Sequence, residues 1–321
     1  MKIFLCLFLV LCLSICSYGQ TNDSFYKKGI NKYELKDYSG AIEELTRAID
    51  STFFETNDKI RREILLQTKA KKQLADYYLL RGHAKFEIKD FDGAERDYWN
   101  VSILLPKYTE GHFWQGRAYF ELGIFDLAKF KFGLTIEIDS IDAEAYFRRG
   151  LANYELSEFY GAISDYTKAL QIHCCPPEAY YRRGIAKGKI GDTLGAIEDL
   201  SECIKLDVNN WMAYQERGLE KLILGYLDEA MSDFNISLRI IPNARTYRCR
   251  GNLKLMRLDY RGSIEDCNLS ITLDPMFPTS YYTRGLAKIY LNQKESGCLD
   301  LSKAGELGMT ESYEQIKEQC K

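Results

Sequence analysis

Hydrophobic positions along this chain recur with helical spacing, in pairs of segments that are each about a dozen residues long. One clear pair lies between Glu144 and Ile172, where the two segments are Ala145–Leu156 and Tyr160–Gln171. The polar residues Ser157-Glu158 separate them. Apolar residues that return once per turn are typical of amphipathic helices, so each pair predicts two helices joined by a short turn.

The pair recurs eight times, and every copy has a glycine in the same place. The glycines are Gly29, Gly82, Gly116, Gly150, Gly184, Gly218, Gly251 and Gly285, at steps of 53, 34, 34, 34, 34, 33 and 34 residues. A fixed period in this range indicates stacked repeats rather than a catalytic core. Glycine inside a helix costs about 1 kcal/mol relative to alanine. Gly150, Gly184 and their counterparts therefore predict close contact between the paired helices.

Other places in the repeat hold a constant residue type. Small residues lie twelve positions after the glycine: Ala41, Ala94, Ala128, Ala162, Ala196, Ala230, Ser263 and Gly297. Large or apolar residues lie sixteen after it: Leu45, Tyr98, Phe132, Tyr166, Leu200, Phe234, Cys267 and Leu301. An aromatic ring lies four before it: Phe25, Tyr78, His112, Tyr146, Tyr180, Tyr214, Tyr247 and Tyr281. Pro106, Pro242 and Pro275 lie 24 after it, where the second helix is expected to stop.

This order of aromatic, glycine, alanine, aromatic and proline at a 34-residue period resembles the tetratricopeptide repeat. The resemblance covers roughly residues 22–308 and implies an all-α fold, a right-handed α-solenoid of about eight helix hairpins. One repeat domain is then expected over residues 20–309. A capping helix is expected over residues 310–321, because the terminal repeat has one uncovered face. The first step is 53 − 34 = 19 residues longer than the period, which predicts a helical insertion over about 50–74 that extends the first helix of copy two backwards.

Opposite charges recur within the copies. Six copies have arginine just before the glycine, and the same six have aspartate fifteen residues after it, as in Arg149 with Asp165 and Arg183 with Asp199. Copy one has Lys28 with Glu44, whereas copy three has Gln115 with Lys131 and so loses both partners together. These patterns predict salt bridges between the two helices of each copy. Their predicted role is structural rather than ligand binding.

The first nineteen residues have the composition of a signal peptide. A positive Lys2 precedes an apolar run over residues 3–16, and a small-x-small cleavage site makes Gln20 the first mature residue. The chain is therefore expected to be exported, to the periplasm, the cell envelope or the outside, with no membrane span after cleavage. A lipid anchor on Cys16 is the less favoured alternative, because bulky Ile15 precedes it. The chain's end also resembles exported tetratricopeptide repeat proteins of Bacteroidetes-type bacteria.

No catalytic or cofactor motif is found between the repeats. The net charge of −3 gives no basic footprint for nucleic acid. The segment His173-Cys174-Cys175 carries metal-binding residue types, but a fourth ligand is missing and a loop or disulfide is favoured over zinc. We therefore expect no enzyme activity, no metal and no cofactor. If the capping helix folds back on its neighbour, Cys298 and Cys320 are expected to meet in a disulfide, which an export route permits.

The resemblance implies that the first helix of each copy lines a concave groove. At the inward places, copies one to four carry aromatic residues and late acidic residues. These groove candidates are Tyr26, Phe113, Phe120, Phe147 and Tyr154 with Glu87, Glu121 and Glu155. Copy seven has Arg245, Arg248 and Asn252 on one helical face, which is near to the carboxylate clamp of chaperone-binding repeats but lacks its partner residues in the neighbouring copies.

The predicted function is a non-enzymatic scaffold that binds a protein or peptide in this groove. Aromatic walls with carboxylates favour a segment that carries basic and apolar residues. Two alternatives remain open at this point. The chain is a structural or accessory subunit of an envelope complex, or it is accessory to an unidentified enzyme.

Overall fold

The computed structural model describes residues 23–53, 68–172 and 175–320, which contain seventeen α-helices and no β-strand. These residues fall into two compact units, unit 1 (Met1–Cys174) and unit 2 (Cys175–Lys321). Unit 1 holds α1 (23–34), α2 (Tyr38–Phe53), α3 (Thr68–Glu87), α4 (Phe91–Leu104), α5 (Thr109–Glu121), α6 (Phe125–Ile138), α7 (Ala143–Glu155) and α8 (Phe159–Gln171). Unit 2 holds α9 (Pro176–Lys189), α10 (Thr193–Leu206), α11 (Trp211–Ile223), α12 (Leu227–Ile240), α13 (Ala244–Met256), α14 (Tyr260–Leu273), α15 (Pro278–Tyr290), α16 (Lys294–Glu306) and α17 (Glu311–Gln319).

The helices pair as the sequence predicts, with an odd-numbered first helix packed against the even-numbered second helix that follows it. Each unit contains four such hairpins, and within it the second helix of one hairpin packs on the first helix of the next. The expected all-α solenoid of helix hairpins is thus confirmed. None of the described helices combines the length and the apolar character that crossing a membrane requires.

Some predicted features lie outside the described residues. They are the signal peptide with Cys16 and Gln20, the middle of the insertion at residues 54–67, and His173 with Cys174. On the C-terminal side of the insertion, α3 has 20 residues, whereas the other first helices whose ends are described have 13 or 14. The N-terminal half of α3 packs on α2, where Leu74 and Tyr77 form a buried cluster with Ala48 and Ile49.

All eight hairpin turns share one backbone conformation. The residue seven after each repeat glycine has a positive φ, and these residues are Lys36, Lys89, Gly123, Ser157, Gly191, Gly225, Leu258 and Asn292. At Lys89 the amide donates to the Phe86 carbonyl and the next amide, of Asp90, donates to the Lys85 carbonyl, which is the Schellman arrangement of a helix C-terminus. The Asp90 side chain then caps α4 by accepting from the Gly93 amide.

The repeat glycines lie where the two helices of a hairpin come closest. A β-carbon placed on Gly150 would stand 2.7 Å from Cε1 of Tyr166, and one on Gly184 would stand 3.0 Å from Cγ of Leu200. In all eight copies the residue sixteen after the glycine is among these nearest neighbours. Since Tyr166 and Leu200 are fully buried, a larger residue at the glycine has no space to displace them into. The helix cost of glycine is offset by this close packing.

Replacing Gly150 with alanine is expected to lower the free energy of unfolding by about 1–3 kcal/mol, because the added methyl group overlaps the buried Tyr166 ring. The matched control is Gly133→Ala in α6, where the nearest atom to the new β-carbon is 3.9 Å away. This change is expected to stabilise the helix by about 1 kcal/mol, as alanine does elsewhere. Urea denaturation monitored by circular dichroism measures both. Equal effects of the two substitutions would contradict the close-contact explanation.

The last helix, α17, folds back on α16. Gly305 allows this approach, since a β-carbon there would lie 2.7 Å from Cζ of Tyr313. Ser312 is the buried residue of α17. Cys298 of α16 and Cys320 after α17 are joined by a disulfide, with their Cα atoms 5.9 Å apart.

Candidate functional site

The ion pairs predicted between arginine and aspartate form the most regular polar feature of both units. Arg149 donates from Nε and Nη2 to the two carboxylate oxygens of Asp165 at 2.9 and 2.7 Å, and Arg183 does the same to Asp199 at 2.8 and 2.7 Å. The four other copies with both residues show the same two-pronged geometry. The carboxylates are almost completely buried, so these are interior ion pairs with geometry that favours strong hydrogen bonds.

Sequence reasoning missed a third member of this network. Lysine lies four residues after the arginine in five of the six copies, and its ammonium group is 2.8 or 2.9 Å from the same aspartate. In copy four Asn153 replaces it and donates to Asp165 at 2.9 Å. The tyrosine four before the glycine stacks on each arginine, with ring centroids 5.4 to 5.7 Å from its Cζ atom. This lysine could have been predicted, because it recurs at one position of the repeat.

Copies one and three lack the Arg–Asp pair, and their polar residues have other partners. The partner predicted for Glu44 is wrong, because its carboxylate contacts Arg47 of α2 at 3.2 Å and Lys32 of α1 at 3.9 Å instead of Lys28. In copy three, Gln115 and Tyr119 both donate to Glu95 of the preceding hairpin, at 2.6 and 2.7 Å. The lost aspartate is thus replaced by an acid from a neighbouring copy.

The aromatic groove candidates of unit 1 pack within and between hairpins. Phe120 meets Phe125 across a hairpin turn at 5.2 Å between ring centroids, and Tyr154 meets Phe159 at 5.4 Å. The remaining three pack against buried rings: Tyr26 on Tyr77 at 4.7 Å, Phe113 on Phe132 at 5.8 Å and Phe147 on Tyr166 at 5.7 Å. Phe147 is only 5% exposed. Each of these rings is therefore partly covered by another ring of the chain.

The acidic groove candidates are exposed. Glu87, Glu121 and Glu155 are the last residues of α3, α5 and α7, and none forms an ion pair among the described residues. A carboxylate at a helix C-terminus is opposed by the helix dipole. These three side chains consequently gain from a cation supplied from outside the chain.

A second cluster of unit 1 was not anticipated. The guanidinium of Arg117 stacks on Trp114 at 4.5 Å and on Phe86 at 5.1 Å from its Cζ atom, and the indole of Trp114 donates to Glu110 at 2.9 Å. His83 lies against Trp114 with 4.3 Å between ring centroids. Burial, with a smaller effect of Arg117, lowers the pKa of His83 to about 4. His83 is therefore neutral near pH 7 and is poorly suited to acid–base catalysis there.

Unit 2 contains a pocket of about 330 Å³ that we call the unit 2 pocket. Its lining residues are Tyr181 of α9, Trp211, Met212, Gln215 and Glu216 of α11, Asn243, Ala244 and Arg245 at the start of α13, and Asp274 and Phe277 before α15. Two nitrogens of Arg245 contact the two oxygens of Glu216, at 2.9 and 3.2 Å. The pocket thus combines aromatic and thioether walls with a charged pair at its edge.

The copy-seven candidates lie at or near this pocket. Arg245 is in its wall, and Arg248 stacks on Phe277 at 5.3 Å. Nε of Arg248 is buried without a hydrogen-bond partner, while its Nη2 donates to Cys249 Sγ at 3.2 Å. Asn252 is half-buried and does not line the pocket. Burial, followed by the nearby Glu216, raises the pKa of Tyr181 to about 12, so this ring stays neutral.

Metal-binding residue types are not gathered anywhere in the described parts of the chain, where no group of three or more histidine, cysteine, aspartate or glutamate side chains is placed to hold an ion. Cys203, Cys249 and Cys267 are buried thiols. Burial is the main cause that raises their pKa, to about 11 for Cys203 and about 12 for Cys267. They remain protonated and unreactive near neutral pH.

Comparison with known proteins agrees with the repeat register. A sequence model of the tetratricopeptide repeat matches residues 177–210, which covers α9 and α10. A crystal structure of MamA is 30% identical, with a TM-score of 0.50, over 52% of this chain and 91% of MamA. No curated protein sequence matches the chain.

Two bacterial structures match more of the chain at lower identity. A tetratricopeptide repeat protein from Parabacteroides merdae is 18% identical and has a TM-score of 0.58, over 84% of this chain and 99% of its own. The C-terminal part of a repeat-containing protein from Cytophaga hutchinsonii is 14% identical and has a TM-score of 0.61, over 80% and 98%. At these identities the likeness concerns the fold alone.

Proposed function

We propose, because this chain belongs to the tetratricopeptide repeat family, that it is a non-enzymatic scaffold that binds a segment of a partner protein. In this proposal the unit 2 pocket holds an apolar side chain of that segment. The observation that carries the proposal is the lining of the pocket, where half-buried Trp211 and Phe277 lie with Met212 beside a charged pair. Aromatic pockets with a polar rim are where interfaces concentrate their binding free energy.

The size of the pocket favours a side chain over a free metabolite. At about 330 Å³ it is at the lower end of the range for small-molecule sites, roughly 300–1,000 Å³. Met212 is 37% exposed at its edge and, as an unbranched thioether, adapts to ligands of different shape. An anchoring leucine, methionine or aromatic residue of a partner matches these walls.

The charged rim contributes selectivity. Glu216 and Arg245 neutralise each other in the free protein and lie on neighbouring first helices, α11 and α13. A partner with an acid beside its apolar anchor competes for Arg245, and a partner with an arginine competes for Glu216. The rim therefore favours partners that have a polar or charged residue, rather than a second apolar residue, next to the anchor.

A second contact is proposed on unit 1, for basic residues of the partner. Its support is that Glu87, Glu121 and Glu155 are exposed and without ion pairs in the described residues. Attraction between exposed charges weakens as salt shortens the screening length, to about 8 Å at physiological ionic strength. This contact is expected to affect association and salt dependence more than the final affinity.

The site of action proposed for this scaffold is outside the inner membrane. The support is the leader-like segment over residues 1–19 of the sequence. Subunits of envelope complexes and helpers of enzymes also bind proteins, so the same surfaces serve these alternatives. The pocket substitutions distinguish a partner held in the unit 2 pocket from one held elsewhere.

The test uses the chain without residues 1–19 as bait in an envelope extract, followed by titration of the identified partner against variants. Trp211→Ala is expected to weaken binding about 30-fold, because a central aromatic contact typically contributes 2 kcal/mol or more. The matched control is Trp99→Ala, at an exposed tryptophan of α4 in unit 1. Glu121→Lys with Glu155→Lys is expected to reduce salt-dependent binding while helicity is retained.

The pocket and the acidic contact are tested separately, and each has its own result that would contradict it. Equal affinity of the parent, Trp211→Ala and Trp99→Ala proteins would exclude the unit 2 pocket as the anchor site. Unchanged affinity and unchanged salt dependence of the double lysine variant would exclude the acidic contact. A partner that is chemically altered by the purified chain would contradict the non-enzymatic assignment.

A further inference from the structure

Four of the repeated arginines also contact the hairpin that precedes their own in the same unit. In four copies the remaining guanidinium nitrogen, Nη1, donates to a polar side chain on the second helix of the preceding hairpin. These contacts join Arg81 to Thr46 at 3.1 Å, Arg217 to Ser201 at 3.1 Å, Arg250 to Asn235 at 2.8 Å and Arg284 to Asn268 at 2.7 Å. The acceptor always lies seventeen residues after the glycine of its own copy. Arg81 and its counterparts thus use all three of their accessible nitrogens.

Arg149 in unit 1 departs from this pattern. The acceptor position is Gly133, which has no side chain, and Nη1 of Arg149 lies 3.9 Å from where its β-carbon would stand. Nη1 makes no hydrogen bond within the described part of the chain, although Nε and Nη2 hold Asp165 as in the other copies. The Arg149 side chain is 28% exposed, whereas the other five arginines are 15–19% exposed.

The missing side chain leaves an open cleft, which we call the Gly133 cleft. It has a volume of about 440 Å³ and is lined by α6, α7 and the start of α8. Phe130 forms one side and is 57% exposed, with Leu134 one turn further along α6. On the opposite side Asn153 and Asp165 accompany Arg149.

The charged residues around the Gly133 cleft are paired except for Glu137, an exposed carboxylate of α6 with no ion pair among the described residues. Lys129 contacts both carboxylate oxygens of Glu158 at 2.7 and 2.8 Å. Arg149 is held by the buried Asp165, and copy four has the neutral Asn153 where other copies have lysine. A carboxylate entering beside Asp165 would meet a like charge, whereas a neutral acceptor would not. The cleft therefore presents one unused hydrogen-bond donor, Nη1 of Arg149, next to the exposed ring of Phe130.

We propose that the Gly133 cleft is a second binding site, for a partner segment that presents an asparagine side chain beside an apolar residue. The asparagine oxygen takes the place that Asn235 and Asn268 occupy in copies seven and eight, and accepts from Nη1 of Arg149. The apolar residue covers Phe130 and Leu134. The site uses residues of unit 1 only, so it stands independently of the unit 2 pocket.

The probe is a phage-displayed library of random twelve-residue peptides, selected on the chain without residues 1–19. Gly133→Asn supplies the missing acceptor from within and is expected to weaken binding of the enriched peptides at least tenfold. Phe130→Ala is expected to weaken it as well, through loss of the apolar contact. The matched control is Thr46→Gly, which removes the corresponding acceptor of Arg81 and is expected to leave binding within about twofold of the parent. Circular dichroism verifies that all variants fold.

A second readout follows the guanidinium itself. In ¹⁵N spectra, the Nε–H signal of Arg149, assigned with Arg149→Lys, is expected to shift on addition of an enriched peptide. Replacing the asparagine of that peptide by leucine is expected to abolish the shift, and replacing it by aspartate to weaken binding. The proposal is overturned if no peptide is enriched over the Gly133→Asn protein. It is equally overturned if parent and Gly133→Asn proteins bind the same peptides with equal affinity.

Discussion

Replacing Asp233 with alanine is expected to lower the local free energy of unfolding at α11–α12 by about 3–5 kcal/mol. Its side chain is only 3% exposed and accepts from Arg217 at 2.9 and 2.7 Å and from Lys221 at 2.8 Å. Alanine would leave two cations in the hairpin interface without their anion. Removing one member of a buried ionic group costs far more than the group contributes in total, because the remaining charges stay desolvated.

The control for this experiment is Asp228→Ala on the same helix, α12. Asp228 pairs with Arg257 at 2.8 Å, but its side chain is 84% exposed. Exposed ion pairs contribute about 0–1 kcal/mol, so this variant is expected to stay close to the parent. Native-state hydrogen exchange is the suitable measurement, since repeat proteins unfold in parts. Similar losses in both variants would refute the idea that burial makes the Asp233 network important.

A third variant separates specificity from stability. Changing Arg217, Lys221 and Asp233 together to methionine, leucine and leucine removes the whole group instead of one member. Such replacements are often neutral or stabilising. If this variant is as stable as the parent, the recurring network sets the register between paired helices rather than supplying net stability.

Repeat architecture was predictable from the sequence because its signals are strictly periodic. The positions held by Gly150 and Tyr166 are sixteen residues apart in every copy, so aligning the chain with itself predicts that the residues at these two positions are in contact. The pairing of Arg183 with Asp199 follows from the same alignment. Such features depend on two neighbouring helices whose relative position is constant, and periodicity determines that position.

Depth below the surface was less predictable. Phe147 and Glu155 were both assigned to an inward face, yet Phe147 is 5% exposed whereas Glu155 is exposed. The face of a helix follows from the 3.6-residue period, but the area covered by neighbouring side chains depends on their sizes. The unit 2 pocket was missed for a related reason. Trp211 and Phe277 lie at or before helix starts, outside the inward positions that the resemblance implies.

Departures from the repeat were visible in the sequence but could not be interpreted there. Lysine at 131 and glycine at 133 interrupt two repeat positions that are otherwise acidic and mostly polar, respectively, and the described part of the chain compensates for the first of them only. Glu95 from the preceding hairpin supplies the acid that copy three lacks. Nothing within the described residues supplies the acceptor that Arg149 lacks. Only the three-dimensional contacts show that the change at Lys131 is compensated and that the change at Gly133 is not.

Reduction of the Cys298–Cys320 disulfide is expected to destabilise the C-terminal end of unit 2 by about 3 kcal/mol. The two residues are 22 apart in sequence, and opening a loop of this size restores about that much chain entropy to the unfolded state. The helix that it fastens, α17, has one buried residue, Ser312, and so contributes little hydrophobic area of its own. We therefore expect the loss to appear first as rapid hydrogen exchange across α17.

Alkylation at pH 8 without reductant provides the direct test, because only the thiolate reacts. The raised pKa of Cys203, about 11, and of Cys267, about 12, keeps these buried thiols protonated at that pH, and burial protects Cys249 in the same way. Label on Cys298 and Cys320 therefore reports the state of their bond with little background. Peptide mapping is expected to show both unlabelled and covalently joined, and the double serine variant is expected to exchange α17 amides as fast as the reduced protein. Two labelled cysteines in the unreduced protein would mean that α17 is held by packing alone.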